Sequence, residues 1–255
     1  MVHIVGAGCG APDLITVRGM RLLERADVVV WAGSLVNPEL LDYCADGCEI
    51  HDSSHMTLEQ VLDVMIPAAR AGRDVVRLHT GDPSVYGAIR EQMDALAAAG
   101  VPFDVTPGVS SFAGAAAALG AELTLPGVSQ TVMLTRLAGR TPMPAGEDLR
   151  SLAAHGSTMV LFLSAGMLDC LQAELLEAGR RADEPAAIVY KASWPDELVL
   201  RCTVGTLART GAEHGIRLTA LVVVGDVLGP SYERSRLYDP GFETLFRKAE
   251  EGKEA

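Results

Sequence analysis

The sequence predicts an α/β protein of two domains, with a mainly parallel sheet in the N-terminal domain and a mixed sheet in the C-terminal one. Three observations carry this. Apolar runs alternate with amphipathic segments through residues 1–119, the pattern of strands joined by crossover helices. The texture then turns to Gly, Pro and Thr over Gly120–Val128, which reads as a linker. Beyond it, the apolar runs Ala187–Tyr190 and Leu198–Cys202 follow each other with no room for a helix, so that sheet cannot be wholly parallel. The expected boundaries are 1–119, a linker at 120–128, a second domain at 129–240 and a tail at 241–255, charged and frayed from Lys248.

Taken in order, Val2–Val5 reads as a strand closed by the glycine turn Gly6–Gly10. Thr16–Ala26 has helical spacing, and Asp27–Trp31 is a second buried strand. Glu49–His51 forms a short strand. Leu58, Val61, Leu62, Met65 and Ile66 place a helix over Thr57–Ala71. Asp74–Leu78 is the fourth strand, and Tyr86–Ala99 a helix ended by Gly100. Phe103–Val105 is the fifth strand, before a helix over Gly108–Leu119. In the second half, strands are expected at Thr131–Thr135, Met159–Leu163, Ala187–Tyr190, Leu198–Cys202 and Leu218–Val224, with helices at Met167–Ala178 and Val204–His214. Ligands of such sheets sit at the carboxyl ends of strands, so the informative loops are Gly6–Thr16, Leu78–Tyr86 and Thr106–Ser111.

Composition narrows the function. With 21 Lys and Arg against 33 Asp and Glu, the 255-residue chain carries a formal charge of −12. Nucleic-acid binding, which needs a basic face, is not expected. No apolar run approaches the ~20 residues that span a bilayer, so no membrane partner is expected. The start MVHIVGAG lacks the basic flank and cleavage site of a signal peptide. Five cysteines without a secretory signal imply free thiols and a cytoplasmic setting. Cys170 and Cys202 read as ordinary buried residues.

Each motif has a plain reading beside the functional one. Gly6-Ala7-Gly8-Cys9-Gly10-Ala11 satisfies G-x-G-x-x-G/A, so an NAD(P) site is one alternative. Against it, Trp31-Ala32-Gly33 stands where an acidic ribose ligand belongs, and Pro12 delays the helix. Thr80-Gly81-Asp82-Pro83 puts a carboxylate beside a glycine that admits a ligand; the plain reading is an Asx turn. Pro107-Gly108-Val109-Ser110-Ser111 either caps a helix or touches a ligand, and one serine can do both. Cys44, Cys48, His51 and His55 lack zinc-finger spacing, so no metal site is expected. No Ser-His-Asp spacing points to a nucleophile.

Together GAGCGAPDLIT, RLHTGDPSVYGA and TPGVSSFAGAAAALG resemble the tetrapyrrole (corrin/porphyrin) methylases, which take the methyl group from S-adenosylmethionine. SQTVMLTRLAGRTPMP, FLSAGM, YKASWPDE and SYERSRLYD are similar to one branch, the precorrin-4 C11-methyltransferases of cobalamin biosynthesis. The resemblance spans Val2 to about Asp239. It implies two α/β domains, each on a five-stranded sheet, with the donor in the cleft between them. By position the donor would meet Cys9, Thr80, Gly81, Asp82, Val85, Ser110, Ser111, Leu163, Ala192, Thr219 and Ala220; Tyr86 is added for its place beside Val85. The first loop of the family usually reads GPG, where this chain has Cys9, and many relatives carry Asp at Ala11.

The chemistry fits, because transfer from a sulfonium to an electron-rich ring carbon needs positioning rather than a protein nucleophile. His79 is the one candidate for an assisting base. The substrate would be a polycarboxylate, which a −12 protein repels at long range; Arg136, Arg140 and Lys191 are the expected local clamp. The branch segments point to the cobalt-containing form of precorrin-4, with the metal-free form as alternative and an NAD(P)-dependent oxidoreductase as rival. A homodimer is expected from the family.

Overall fold

The computed structural model describes residues 1–249; the end of the expected charged tail, residues 250–255, lies outside them. Its contacts define two units, residues 1–119 with 189–199, and residues 120–188 with those from 200 onward.

The first unit runs β1 (Val2–Gly6), α1 (Val17–Leu23), β2 (Val28–Trp31), β3 (Glu49–Asp52), α2 (Leu58–Arg70), β4 (Val75–His79), α3 (Arg90–Ala98), β5 (Phe103–Thr106) and α4 (Ser111–Leu119). Its five strands are all parallel, in the order β3-β2-β4-β1-β5. Strand periodicity sorts the core into two layers. Val5, Val29, Val76 and Leu78 pack with Leu22 and Leu23 of α1 on one face. Val2, Val28, Val30 and Val75 pack with Val61 and Met65 of α2 and Leu96 of α3 on the other. The loops leaving the neighbouring strands β1 and β4 therefore depart to opposite faces, which opens a crevice at their carboxyl ends.

The rest of the chain runs β6 (Val132–Arg136), α5 (Leu149–Ala153), β7 (Thr158–Phe162), α6 (Leu168–Glu177), β8 (Pro185–Tyr190), β9 (Leu198–Thr203), α7 (Leu207–Glu213) and β10 (Ala220–Val224), the end of β8 and the start of β9 falling within 189–199. The sheet order is β6-β7-β10-β8-β9. It is mixed, as expected: β6 and β7 are parallel, β7 and β10 antiparallel.

The departures from expectation have local causes. The helix expected from Tyr86 begins at Arg90, because Tyr86 and Ala88 have φ of 56° and 48°, a left-handed state that cannot continue a right-handed helix. The same state at Leu163 (φ 53°) and Thr219 (φ 54°) ends β7 one residue early and starts β10 two residues late. The helix expected from Gly108 begins at Ser111. Short α5, capped by the Asp148 carboxylate on the Ser151 N–H, and a 3₁₀ turn at Pro38–Tyr43 capped by Asn37 were not foreseen, being too short for a period to show. Cys170 is exposed and Cys202 half-buried, against the expectation that both are buried. No helix among the described residues is long and apolar enough to cross a membrane.

Candidate methyl-donor and substrate site

The site begins with glycine. A Cβ on Gly6 would stand 2.6 Å from both the Gly108 Cα and the Gly81 carbonyl oxygen. The turns after β1, β4 and β5 thus touch backbone to backbone, a contact no larger residue permits. Gly8 and Gly81 exchange hydrogen bonds at 3.3 and 2.9 Å. A Cβ on Gly8 would meet the Leu14 carbonyl at 2.8 Å, and one on Gly10 the Ala192 carbonyl at 2.6 Å as well as the Trp194 ring. All three glycines of the G-x-G-x-x-A string are thus consumed by packing within the protein, and the first α-helix starts only at Val17. The dinucleotide reading needs its second glycine, Gly8, open to pyrophosphate at a helix start; here Gly8 packs on the Leu14 carbonyl and no α-helix starts before Val17.

Asp82 is held firmly. One carboxylate oxygen accepts from the Ser84 N–H at 2.9 Å and from the Ser84 hydroxyl, and the other accepts from the Gly108 N–H at 2.9 Å. Burial disfavours its charge, but these donors outweigh it and hold the carboxyl below the usual carboxylate range. The Asx turn is therefore real, and Asp82 also ties the β4 turn to the β5 turn.

Thr80 and His79 each bury a polar atom without a partner, the Thr80 Oγ1 and the His79 Nε2. Burial, with the charge of Arg77 behind it, pushes the His79 imidazole down to about 3. At neutral pH it is an uncharged hydrogen-bonding group, and a proton-accepting role would have to overcome the same burial. Ser110 is buried and Tyr86 is 47% exposed; Val85 is half-buried, and Ser111 opens α4. A Cβ on Gly81 would sit 3.5 Å from the Ser111 N, so the β4 turn lies against the start of α4.

The segment Lys191–Glu197 joins this unit. Ser193 Oγ accepts from the Ala11 N–H at 2.9 Å and lies 3.4 Å from Cys9 Sγ, so Cys9 and Ala192 are both buried beside the glycine loop. Lys191 donates to Asp196 at 2.6 Å and lies over the Tyr190 and Trp194 rings. In the second unit, antiparallel pairing (Leu161 opposite Val222) brings the end of β7 beside the start of β10, and so Leu163 beside Thr219 and Ala220. Leu163 is 65% exposed, unusual for a leucine at the end of a buried strand. Arg136 donates to the carbonyls of Leu137, Thr141 and Pro142, which shapes the loop carrying exposed Arg140.

Among the described residues six non-glycine residues have left-handed backbone: Tyr86, Ala88, Leu163, Lys191, Ser193 and Thr219. Four of them are residues nominated from sequence, and Ala88 and Ser193 lie within two residues of one. Such conformations cost of order 1–3 kcal/mol each and gather where function requires them. Ser193 and the Arg77–Gln92 pair were missed, because nothing in spacing marks a serine or glutamine as a tie. Among the described residues no three His, Cys, Asp or Glu side chains converge as a metal site. His51 bonds Glu49 at 2.7 Å, and burial pushes the Cys44 thiol up to about 12.

Comparison with known proteins places this geometry. Residues 1–208 match the family of Tetrapyrrole (Corrin/Porphyrin) Methylases, and the chain belongs to it. A cobalt-precorrin-4 C(11)-methyltransferase of Methanocaldococcus jannaschii is 52% identical over 97% of this chain and 96% of its own length. A precorrin-4 C(11)-methyltransferase of a Sinorhizobium species is 48% identical, over 96% and 98%. The crystal structure of a cobalt-precorrin-4 methyltransferase superposes with a TM-score of 0.88 at 47% identity, covering 90% of this chain and 96% of that one. A uroporphyrin-III C-methyltransferase from Thermus thermophilus, solved with S-adenosylhomocysteine, gives 0.76 at 31% identity, covering 89% and 93%.

The buried imidazole makes stability depend on pH. His79 is lowered from 6.5 to about 3, so between those values the unfolded chain binds a proton that the folded chain does not. Its contribution is complete above pH 6.5 and is lost as pH falls, at up to about 1.4 kcal/mol per pH unit. Denaturant melts of His79→Gln between about pH 6 and pH 4 should show a shallower slope by that order. An unchanged slope would mean that His79 is protonated in the fold.

Proposed function

We propose that the protein methylates C11 of cobalt-precorrin-4, with S-adenosylmethionine as donor, in cobalamin biosynthesis. The observation that carries the reading is the coincidence of strain and nomination. The six left-handed residues fall in the loops where the family resemblance places the donor. The relatives' names supply the substrate class, and the 52% identical relative is named for the cobalt form.

The residues suit the donor. The unpartnered Thr80 hydroxyl needs a polar atom that a ribose, an adenine or an amino-acid group can offer. Gly81 beside Ser110 and Ser111, with Val85, Tyr86, Cys9 and Ala192, would hold it from the first unit; Leu163, Thr219 and Ala220 are the residues of the second unit that the resemblance nominates. When bound, the donor supplies an electrophilic methyl group on a sulfonium. What the chain adds is alignment. The Asp82 bonds and the glycine contacts fix the turns before any ligand arrives, so little ordering is left to be lost on binding. Asp82 would act chiefly through those turns. Arg140 offers an exposed cation to a substrate carboxylate, whereas Arg136 and Lys191 would exchange partners they already hold. A homodimer is part of the proposal: Leu245 and Phe246 are 97% and 99% exposed, apolar surface that a second copy could cover. The cytoplasmic setting accords with five unpaired cysteines.

The direct test is methyl transfer under anaerobic conditions to cobalt-loaded and metal-free precorrin-4. The expected outcome is higher kcat/KM for the cobalt form. A clear preference for the metal-free ring would reverse the metal assignment, and no C11 product from either would overturn the proposal.

Asp82→Ala should weaken S-adenosylhomocysteine binding by about 1–3 kcal/mol in calorimetry, because the Gly108 N–H and the Ser84 donors lose a charged acceptor and the turns drift. An unchanged Kd in a folded variant would limit Asp82 to local turn stability.

A further inference from the structure

We infer that Gln92 is a positioning residue for the donor loop: its side-chain amide clamps the strained Tyr86–Ala88 turn to the buried Arg77 on β4. The inference deepens the donor reading above and rests on it. Gln92 is 5% exposed and Arg77 6% exposed. The Gln92 Oε1 accepts from the Arg77 Nε at 3.1 Å, and the Gln92 Nε2 donates to the Ala88 carbonyl at 3.1 Å. Arg77 also donates from a terminal nitrogen to the Val30 carbonyl at 3.1 Å, so the clamp is anchored to two central strands.

The choice of an amide follows from both ends of the bridge. Arg77 forms no ion pair with a carboxylate among the described residues, and burial pushes it down to about 10. Glutamate would serve the guanidinium better, but it has no proton for the Ala88 carbonyl at neutral pH. Glutamine serves both.

The turn needs such a hold. Tyr86 and Ala88 sit at φ of 56° and 48°, and Gly87 between them packs so closely on the Pro83 carbonyl that no Cβ fits. L-residues leave these conformations unless the surroundings impose them. One imposing contact is the Gln92 bond to Ala88, which fixes the end of the loop that starts at Thr80. A donor contact made by Val85 or Tyr86 thus depends on a residue that is itself enclosed in the core.

The experiment is a two-by-two set: wild type, Gln92→Glu, Ala88→Gly and the double variant, each with a thermal midpoint, an S-adenosylhomocysteine titration and steady-state kinetics. Gln92→Glu keeps an acceptor for Arg77, so the fold should persist. It loses the donor to Ala88, and the Kd should rise about tenfold, with KM for the methyl donor rising likewise and kcat within about twofold. Glycine adopts the left-handed state without steric cost. In the Ala88→Gly background the same substitution should therefore cost less than about threefold. An unchanged Kd in folded Gln92→Glu overturns the inference, as does an equal loss in both backgrounds. Should Gln92→Glu not fold, Gln92→Asn, too short to bridge both partners, is compared in the same two backgrounds with the same outcomes. A wild-type protein that binds no S-adenosylhomocysteine would overturn the donor reading and the inference with it, and the wild-type titration alone tells that case apart.

Discussion

The contact on which the first unit depends is that of Gly6 with Gly81 and Gly108. Three parallel strands could each end in an independent loop, free to move on its own. Here the turns after β1, β4 and β5 meet backbone to backbone, with 2.6 Å left where a Cβ of Gly6 would stand. Side chains are excluded from the junction, so there the three turns are fixed against one another by main-chain contacts alone. The Asp82 carboxylate then locks the arrangement electrostatically through the Gly108 N–H. Because that carboxyl is held below the usual range, the lock stays charged well into mild acid.

Each unit also stores strain at the ends of its strands. The left-handed residues lie where strands end: Tyr86 and Ala88 beyond β4, Leu163 at the end of β7, Lys191 and Ser193 beyond β8, Thr219 at the start of β10. Three of them are held by ordinary interactions nearby. Ser193 receives the Ala11 N–H and donates its own N–H to Glu197 at 2.6 Å, Lys191 is paired with Asp196, and Ala88 is tied to Gln92. The buried Arg77–His79–Gln92 group is the polar counterpart of that strain, costly to bury and retained beneath the loop it supports.

Much of this was legible in the residues. Apolar runs located nine of the ten strands among the described residues, since a buried parallel strand writes itself as a run such as Val28–Val30; the polar, largely exposed β3 (Glu49–Asp52) is the exception. Helix ends were less legible where the backbone turned left-handed: Tyr86 and Ala88 look like good helical residues, and only the fit of Gly87 against Pro83 shows why the helix waits for Arg90. The G-x-G-x-x-A string offered two chemistries. Composition could not decide between them, because the partners that consume Gly6 and Gly10 lie about 75 to 185 residues away. Arg136 and Lys191 were read as part of a carboxylate clamp, and the bonds they make to carbonyls and to Asp196 were not legible because they depend on loop geometry. Ser193 and Gln92 carried no signal, since a tie is defined by its two ends and a sequence shows one.

The central claim is that the strained loops of the first unit, together with its glycine junction, form the donor site. Hydrogen exchange followed by mass spectrometry, with and without saturating S-adenosylhomocysteine, reads it directly. The account predicts slowed exchange in peptides covering residues 79–88, 106–111 and 190–194, and no such protection from NADH. Protection confined to other segments, or equal protection by NADH, would contradict it.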